Sequence, residues 1–414
     1  MPRLLLLLPT ATYRTAAFVE AARRLGVDLT VASERPSTFQ AANPTGLVTL
    51  DFSHPDVAAQ QARAFAHAHP PAGVVGVEDD TAVVAAAIAG ALGLRGNAVS
   101  AAEAARDKHE QRTRLAAAHV PVPRFALHHV DQDPRGFAAR VPYPCVVKPL
   151  RLSASRGVIR ADTPAQFVAA FERVRRILAT PEVAACGEPA RRILVEEFVP
   201  GRECALEGLL VDGELRVLAV FDKPDPLDGP YFEETIYVTP SRLSSEAQET
   251  LVTCAAQAAR ALGLTQGPVH AELRYNEQGG GPWLIELAAR PIGGRCTAVL
   301  RFEAGLSLEE IIIRHALGMP IPTLERERQA AGVMMIPVPR AGVLREVRGI
   351  EVARAVPLID AIEITAHPGE VLVPWPEGSR YPGFIFARGK TPQAVEQALR
   401  AAYLQLQFVL DPTD

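Results

Sequence analysis

The chain has 414 residues, 48% of them hydrophobic and 22% charged, with a formal net charge of −4. That composition gives a globular protein with room for about two to four domains, and with no basic run it excludes nucleic acid as a main partner. The five cysteines (145, 186, 204, 254 and 296) include no Cys-x-x-Cys pair, which excludes a zinc site or disulfide framework and fits a reducing, cytoplasmic setting.

The apolar run Leu4–Leu8 ends at Pro9 without a cleavage-site pattern, so it is read as a buried first strand and not a leader. No stretch approaches the roughly 18 apolar residues of a membrane span, and no membrane partner is expected. Strands are predicted at Leu4–Leu8, Leu29–Ala32, Leu47–Leu50 and Val74–Val77, with helices between them near 13–25, 55–68 and 80–92. This is a βαβ series with a parallel sheet. Pro9-Thr10-Ala11-Thr12 follows the first strand where a dinucleotide site would carry Gly-x-Gly-x-x-Gly, so a Rossmann domain is disfavoured. Glu78-Asp79-Asp80 is either a substrate-facing loop, or Asp79 or Asp80 simply caps the next helix.

Asp107-Lys108 opens a helix to about 118, broken by Val120-Pro121-Val122-Pro123. Strands and one helix, 164–179, follow to about 200. The next stretch holds longer strands and helices near 244–262 and 307–317; Cys254 in the first of these reads as core. A last αβ unit has strands near 332–336, 361–366 and 383–388 and a helix near 392–404. His128-His129 reads as exposed loop.

The strand-like segments Val269–Tyr275 and Trp283–Ala288 flank Gly279-Gly280-Gly281, and pairing symmetric about Gly279 sets Glu272 opposite Glu286. Their Cβ atoms then lie roughly 5 Å apart on one face. Two like charges so placed need a counter-charge, and Mg²⁺ prefers one or two carboxylates plus substrate phosphates. Arg290 continues the alternation and is placed for a second anion. The plainer alternative is a hairpin with two solvated glutamates. His270, two residues before Glu272, is read as a packed histidine, with a third metal ligand as the alternative.

Lys148 ends the apolar strand Cys145–Lys148, and Pro149 keeps the chain extended beyond it; such a lysine can reach phosphate oxygens. The loop Arg151-Leu152-Ser153-Ala154-Ser155-Arg156-Gly157 is rich in donors and suited to covering phosphates, although it is not a Walker A loop. The strand Ile193–Val199 runs into Pro200-Gly201, with Glu196, Glu197 and Glu203 about it. An extended edge there can bond a purine, and a carboxylate seven residues after Glu196 can accept from ribose hydroxyls. No Gly-x-Ser-x-Gly element supports serine-hydrolase chemistry.

Taken in order, Asp107-Lys108, Val147-Lys148-Pro149 with its serine loop, Glu196–Glu203, Glu272, and Glu286-x-x-x-Arg290 with Gly293-Gly294 resemble the ATP-grasp superfamily over about 107–320. Within it, Gly229-Pro230-Tyr231-Phe232-Glu233-Glu234-Thr235 with Pro240-Ser241, the run Glu286-Leu287-Ala288-Ala289-Arg290, and the tail Gly383–Gly389 look most like the L-amino-acid ligases, carboxylate–amine ligases of the dipeptide-synthetase type. The resemblance implies an α/β (α+β) ATP-grasp fold: an N-terminal βαβ domain over 1–106, a two-subdomain ATP-grasp unit over 107–320 with its lid at about 115–200, and a small αβ domain over 321–414.

It also implies roles. Lys108 and Lys148 would contact ATP phosphates beneath the loop of Ser153, Ser155 and Gly157. Glu196, Glu197, Phe198 and Val199 would form the adenine hinge, with Glu196 the side-chain candidate, and Glu203 would hold the ribose. Glu272 and Glu286 would bind Mg²⁺, with Mn²⁺ as an alternative ion. Arg290 would stabilise the acyl phosphate and tetrahedral intermediate beside Gly293 and Gly294. Glu234 and Tyr237 would face the amino-acid substrate, with Glu234 a candidate base. Ala288 stands where many relatives have a metal-binding Asn, and Tyr237 and Gly294 stand where some dipeptide ligases carry His and an aromatic residue, which leaves amino-acid specificity open. The implied activity is ATP-dependent amide or dipeptide formation between small-molecule acids and amines, the family form being a homodimer. A bicarbonate-using ATP-grasp carboxylase and a non-catalytic ATP-binding module are the alternatives.

Overall fold

The computed structural model describes residues 1–276 and 281–412. The Gly279-Gly280 turn invoked for the hairpin therefore lies outside the described residues.

Arg3–Leu7 has apolar side chains on both faces, as a strand covered on both sides requires. It pairs in parallel with Asp28–Ser33 and Gly73–Gly76, and Leu47–Thr49 adds the outer strand. Thr15–Leu25, Pro55–Ala66 and Asp79–Leu92 are the intervening helices. Glu78 caps the last through a capping box with Thr81, so this acidic stretch starts a helix and also reaches the site described below.

A second four-stranded sheet has the order Phe125–His129, Arg192–Glu197, Cys145–Pro149, Ile159–Ala161. The helix Pro164–Leu178 lies on it, burying Phe167, Phe171, Val174 and Leu178 at helical spacing. His128 is not in a loop: it belongs to the first strand and stacks on Phe137 at 4.3 Å. The ring supplies apolar area to this small core, which the His-His pair alone did not signal.

The main sheet has eight strands, in the order Trp283–Ala288, Gly267–Tyr275, Arg202–Val211, Glu214–Asp222, Ile236–Thr239, Ala330–Met335, Gly383–Gly389, Ile359–Ile364. One face takes the helix Ser245–Leu262, where Cys254 is buried with Leu251 and Ala258. The other face meets Leu4 and Leu6 of the N-terminal sheet and Phe18 of its first helix in one apolar cluster. Ala330–Met335, Gly383–Gly389 and Ile359–Ile364 thus extend the central sheet. The helix Val99–Arg106 and a three-stranded sheet of Val371–Leu372, Gly342–Arg348 and Gln407–Asp411 were not anticipated. Among the described residues, no helix is long and apolar enough to cross a membrane.

His315, on the helix Leu308–Ala316, accepts a hydrogen bond at Nε2 from the Gly267 N–H (3.1 Å), so its ring is held neutral at that atom. Burial, with Arg95 nearby, pushes its pKa down to about 4. The folded value lies below the unfolded one, so its contribution is complete above about pH 6.5 and is lost as pH falls towards 4. Allowing for solvent at the ring, about 1–2 kcal/mol should vanish over that window. Urea midpoints followed from neutral to acid pH should show the loss, and His315→Gln, which keeps an acceptor, should flatten it.

Candidate active site

A cavity of about 850 Å³ opens between the eight-stranded sheet and the second four-stranded sheet, with the loops of the N-terminal sheet closing one end. Of the residues singled out in the sequence, Lys108, Lys148, Ser153, Ser155, Glu196, Glu197, Phe198, Val199, Glu203, Glu234, Tyr237, Glu272, Glu286, Arg290, Gly293 and Gly294 all line it. Gly157 does not; it sits one step outside with φ 75°, where a Cβ would press on Pro149 at 3.2 Å.

The hairpin register is the one expected: Glu272 faces Glu286 across the two strands, with a register shift immediately after it. The carboxylates are held apart by two ammonium groups. Lys108 Nζ lies 3.2 Å from Glu286 Oε1 and donates to the Leu152 carbonyl at 3.1 Å. Lys223 Nζ lies 2.9 Å from Glu272 Oε1, 2.8 Å from Glu203 Oε1 and 2.5 Å from Glu234 Oε1.

Lys223 was missed in the sequence, although Lys223-Pro224 after a strand repeats the signal that marked Lys148-Pro149. Glu203, Glu234 and Glu272 bring carboxylate oxygens within 4.8 Å of one another, and Lys223 fills the centre of that group. The Glu272–Glu286 face therefore remains the better place for a cation, and its hard oxygen donors fit Mg²⁺.

Burial pushes Glu272 up, but Lys223 and His270 hold its carboxyl well below the usual range. Burial and the neighbouring Glu272 charge raise Glu234 to about 7 against the pull of Lys223. A carboxyl that titrates near neutrality can exchange a proton with substrate. His270 is buried between Glu207 and Glu272, 3.6 Å from each, the packed position expected of it.

Glu196 is buried, with Oε1 2.6 Å from Arg112 Nε and Oε2 2.5 Å from Lys148 Nζ. Its carboxylate is thus engaged by two cations where it lines the cavity. Arg274, also unanticipated, donates to Glu203 Oε2 at 2.9 Å and stacks on Phe198 at 5.0 Å, linking the ribose candidate to the hinge segment.

The turn after Arg290 is fixed from both sides. Buried Arg14 donates to the carbonyls of Pro291 (3.1 Å) and Ile292 (2.8 Å), and Glu207 Oε2 accepts from the Ile292 N–H at 3.1 Å. Gly294 has φ 59°, and a Cβ there would lie 2.4 Å from Met335 Sδ. Arg290, on the cavity wall, pairs with Asp79 (Nε to Oδ1, 2.9 Å) and donates through a terminal nitrogen to the Pro291 carbonyl at 3.1 Å.

Known proteins resemble this chain in sequence and fold. The chain matches the model of the ATP-grasp N-terminal domain over residues 19–96, of the ATP-grasp domain over 141–299, and of the L-amino acid ligase C-terminal domain 2 over 334–411. An uncharacterized protein of Sinorhizobium fredii is 24% identical over all of this chain and 84% of its own. Alanine–anticapsin ligase of Bacillus subtilis is 30% identical over 54% of this chain, a match that spans only 49% of that ligase. D-alanine–D-alanine ligase of Ralstonia nicotianae is 28% identical over 53% of this chain and 65% of its own. The crystal structure of L-amino acid ligase from Bacillus licheniformis superposes over 100% of this chain and 99% of its own, with a TM-score of 0.80 and 25% identity. The chain is an ATP-grasp protein. Within that superfamily it resembles the L-amino-acid ligases.

Proposed function

We propose that the chain is an ADP-forming carboxylate–amine ligase joining small acids and amines, with L-amino acids as the substrate class, and that 1–106, 107–320 and 321–414 are its working parts. One observation carries this reading: Glu272 faces Glu286 in a single cavity that also presents Lys108, Lys148 and Arg290, while buried Lys223 backs Glu272.

The nucleotide lies along Phe198 and Val199, with Glu203 at the ribose and Lys148 and Lys108 at the phosphates. Glu272 and Glu286 would hold Mg²⁺, which supplies charge neutralisation on the transferring phosphoryl group. The substrate carboxylate oxygen attacks the γ-phosphorus in line and ADP departs with the bridging oxygen; positioning and electrostatics supply most of the acceleration. Arg290 and the N–H groups about Gly293 and Gly294 face the acyl phosphate. The amine attacks the acyl carbon, phosphate leaves, and Glu234 takes the amine proton.

The test is phosphate release from Mg²⁺ and ATP with pooled L-amino acids, with bicarbonate, and with neither, alongside mass spectrometry of the products. Amino-acid-dependent phosphate with a matching dipeptide mass is the expected result, and Glu286→Gln should abolish it. Phosphate release with bicarbonate alone would replace the ligase with a carboxylase.

A further inference from the structure

The loop 151–157 carries strained backbone that its two internal turn bonds, Arg156 N–H to the Ser153 carbonyl and Val158 N–H to the Ser155 carbonyl, do not by themselves account for. Ala154 (φ 52°) and Ser155 (φ 54°) are consecutive non-glycine residues in the left-handed region, and Gly157 follows at φ 75°. Such backbone persists only where surrounding structure over-determines it, and here the surroundings come from far along the chain.

Trp375 Nε1 donates to the Ala154 carbonyl at 2.7 Å. The Gly157 N–H donates to the Pro376 carbonyl at 2.9 Å, and Arg156 Nε to the Glu377 carbonyl at 3.0 Å. The Glu377 carboxylate then takes a two-pronged bond from Arg173 on the helix beneath the loop, at 2.6 and 2.8 Å. Trp375 is buried and packs at 4.8 Å on Tyr381, which lines the cavity near the substrate end.

We propose that residues 375–377 form a strap that holds the phosphate-covering loop in place, with Trp375 and Glu377 as positioning residues. Three of its bonds end on the loop itself, on Ala154, Arg156 and Gly157, and the fourth ends on the helix that carries it. A purely packing role would need apolar contact, not donors and acceptors matched to a strained turn. Through Tyr381 the strap also touches the wall of the substrate end, so loop position and substrate occupancy share one element. The loop's role in covering phosphates rests on the ligase reading. When the loop loosens, water attacks the acyl carbon, phosphate departs with the bond electrons, and the free acid is regenerated with a proton released.

The experiment uses the full chain as wild type, Trp375→Phe, Glu377→Gln and the charge-swapped pair Arg173→Glu with Glu377→Arg. Hydrogen exchange of residues 151–158 without nucleotide should quicken about tenfold in each single variant, the scale of one lost net hydrogen bond, and return towards wild type in the swap. With substrates present, KM for ATP should rise at near-constant kcat, and phosphate released per amide should climb above parity. Unchanged exchange at 151–158, or faster exchange spread evenly over the molecule, would overturn the strap. A wild type that ligates nothing while its loop still loosens in the variants would sink the ligase reading and leave the strap standing.

Discussion

Lys223→Met should lower amide formation by about two to three orders of magnitude and destabilise the protein by about 3–5 kcal/mol, the scales found for lost transition-state charge stabilisation and for a buried ion left unpaired. One ammonium answers three carboxylates here. Without it, Glu203 keeps Arg274 and Glu272 keeps His270, but Glu234 has no cation left within ion-pair reach among the described residues. Glu234 should then take up a proton. Its folded pKa, already raised to about 7, moves further up, so the variant should gain stability as pH falls from about 8 to about 6. A divalent cation among the same oxygens can replace the missing charge, so millimolar Mg²⁺ should recover more of the variant's thermal transition than it adds to wild type. Melts at two pH values with and without Mg²⁺, beside turnover assays, check each part. A variant whose melting ignores both pH and Mg²⁺ would show that Lys223 does not neutralise this cluster.

The Glu272–Glu286 pair was legible because its two short strands are neighbours in sequence, although the register shift just beyond Glu272 was not. The lysine at the end of Cys145–Pro149 was legible for the same reason: its strand and its loop are neighbours in sequence. What stayed hidden depends on distant pairing. Arg112 meets Glu196 across 84 residues, Lys223 meets Glu272 across 49, and Trp375 meets Ala154 across 221. No periodicity in any of those segments records its partner. The tail was readable as strands and a helix, but Ala330–Met335 joins Ile236–Thr239 in the central sheet, a choice of edge made by packing and not by pattern. Glu196 shows what a motif alone leaves out: its spacing to Glu203 suggested a ligand contact and gave no sign that burial also commits its carboxylate to two cations.

That commitment sets the second large effect. Glu196→Gln should raise KM for ATP by about two orders of magnitude and cost about 3–5 kcal/mol of stability, because it leaves Arg112 and Lys148 buried with no anion between them. Burial and the Arg112 charge already push the Lys148 ammonium down, and Glu196 is the group opposing them. Once Glu196 is gone, Lys148 is the cation that can shed its proton, since Arg112 cannot, and a neutral amine loses its hold on phosphate. Arg112→Met separates the two explanations. It leaves the Glu196–Lys148 pair intact and neutral overall, so it should be milder in stability and should spare ATP affinity by comparison. Equal losses of ATP affinity in the two variants would assign the effect to general damage around Arg112, while the ordering Glu196→Gln well beyond Arg112→Met ties phosphate binding to the charge state of Lys148. ATP titration by calorimetry and urea unfolding of both variants, repeated at higher and lower pH, decide between them.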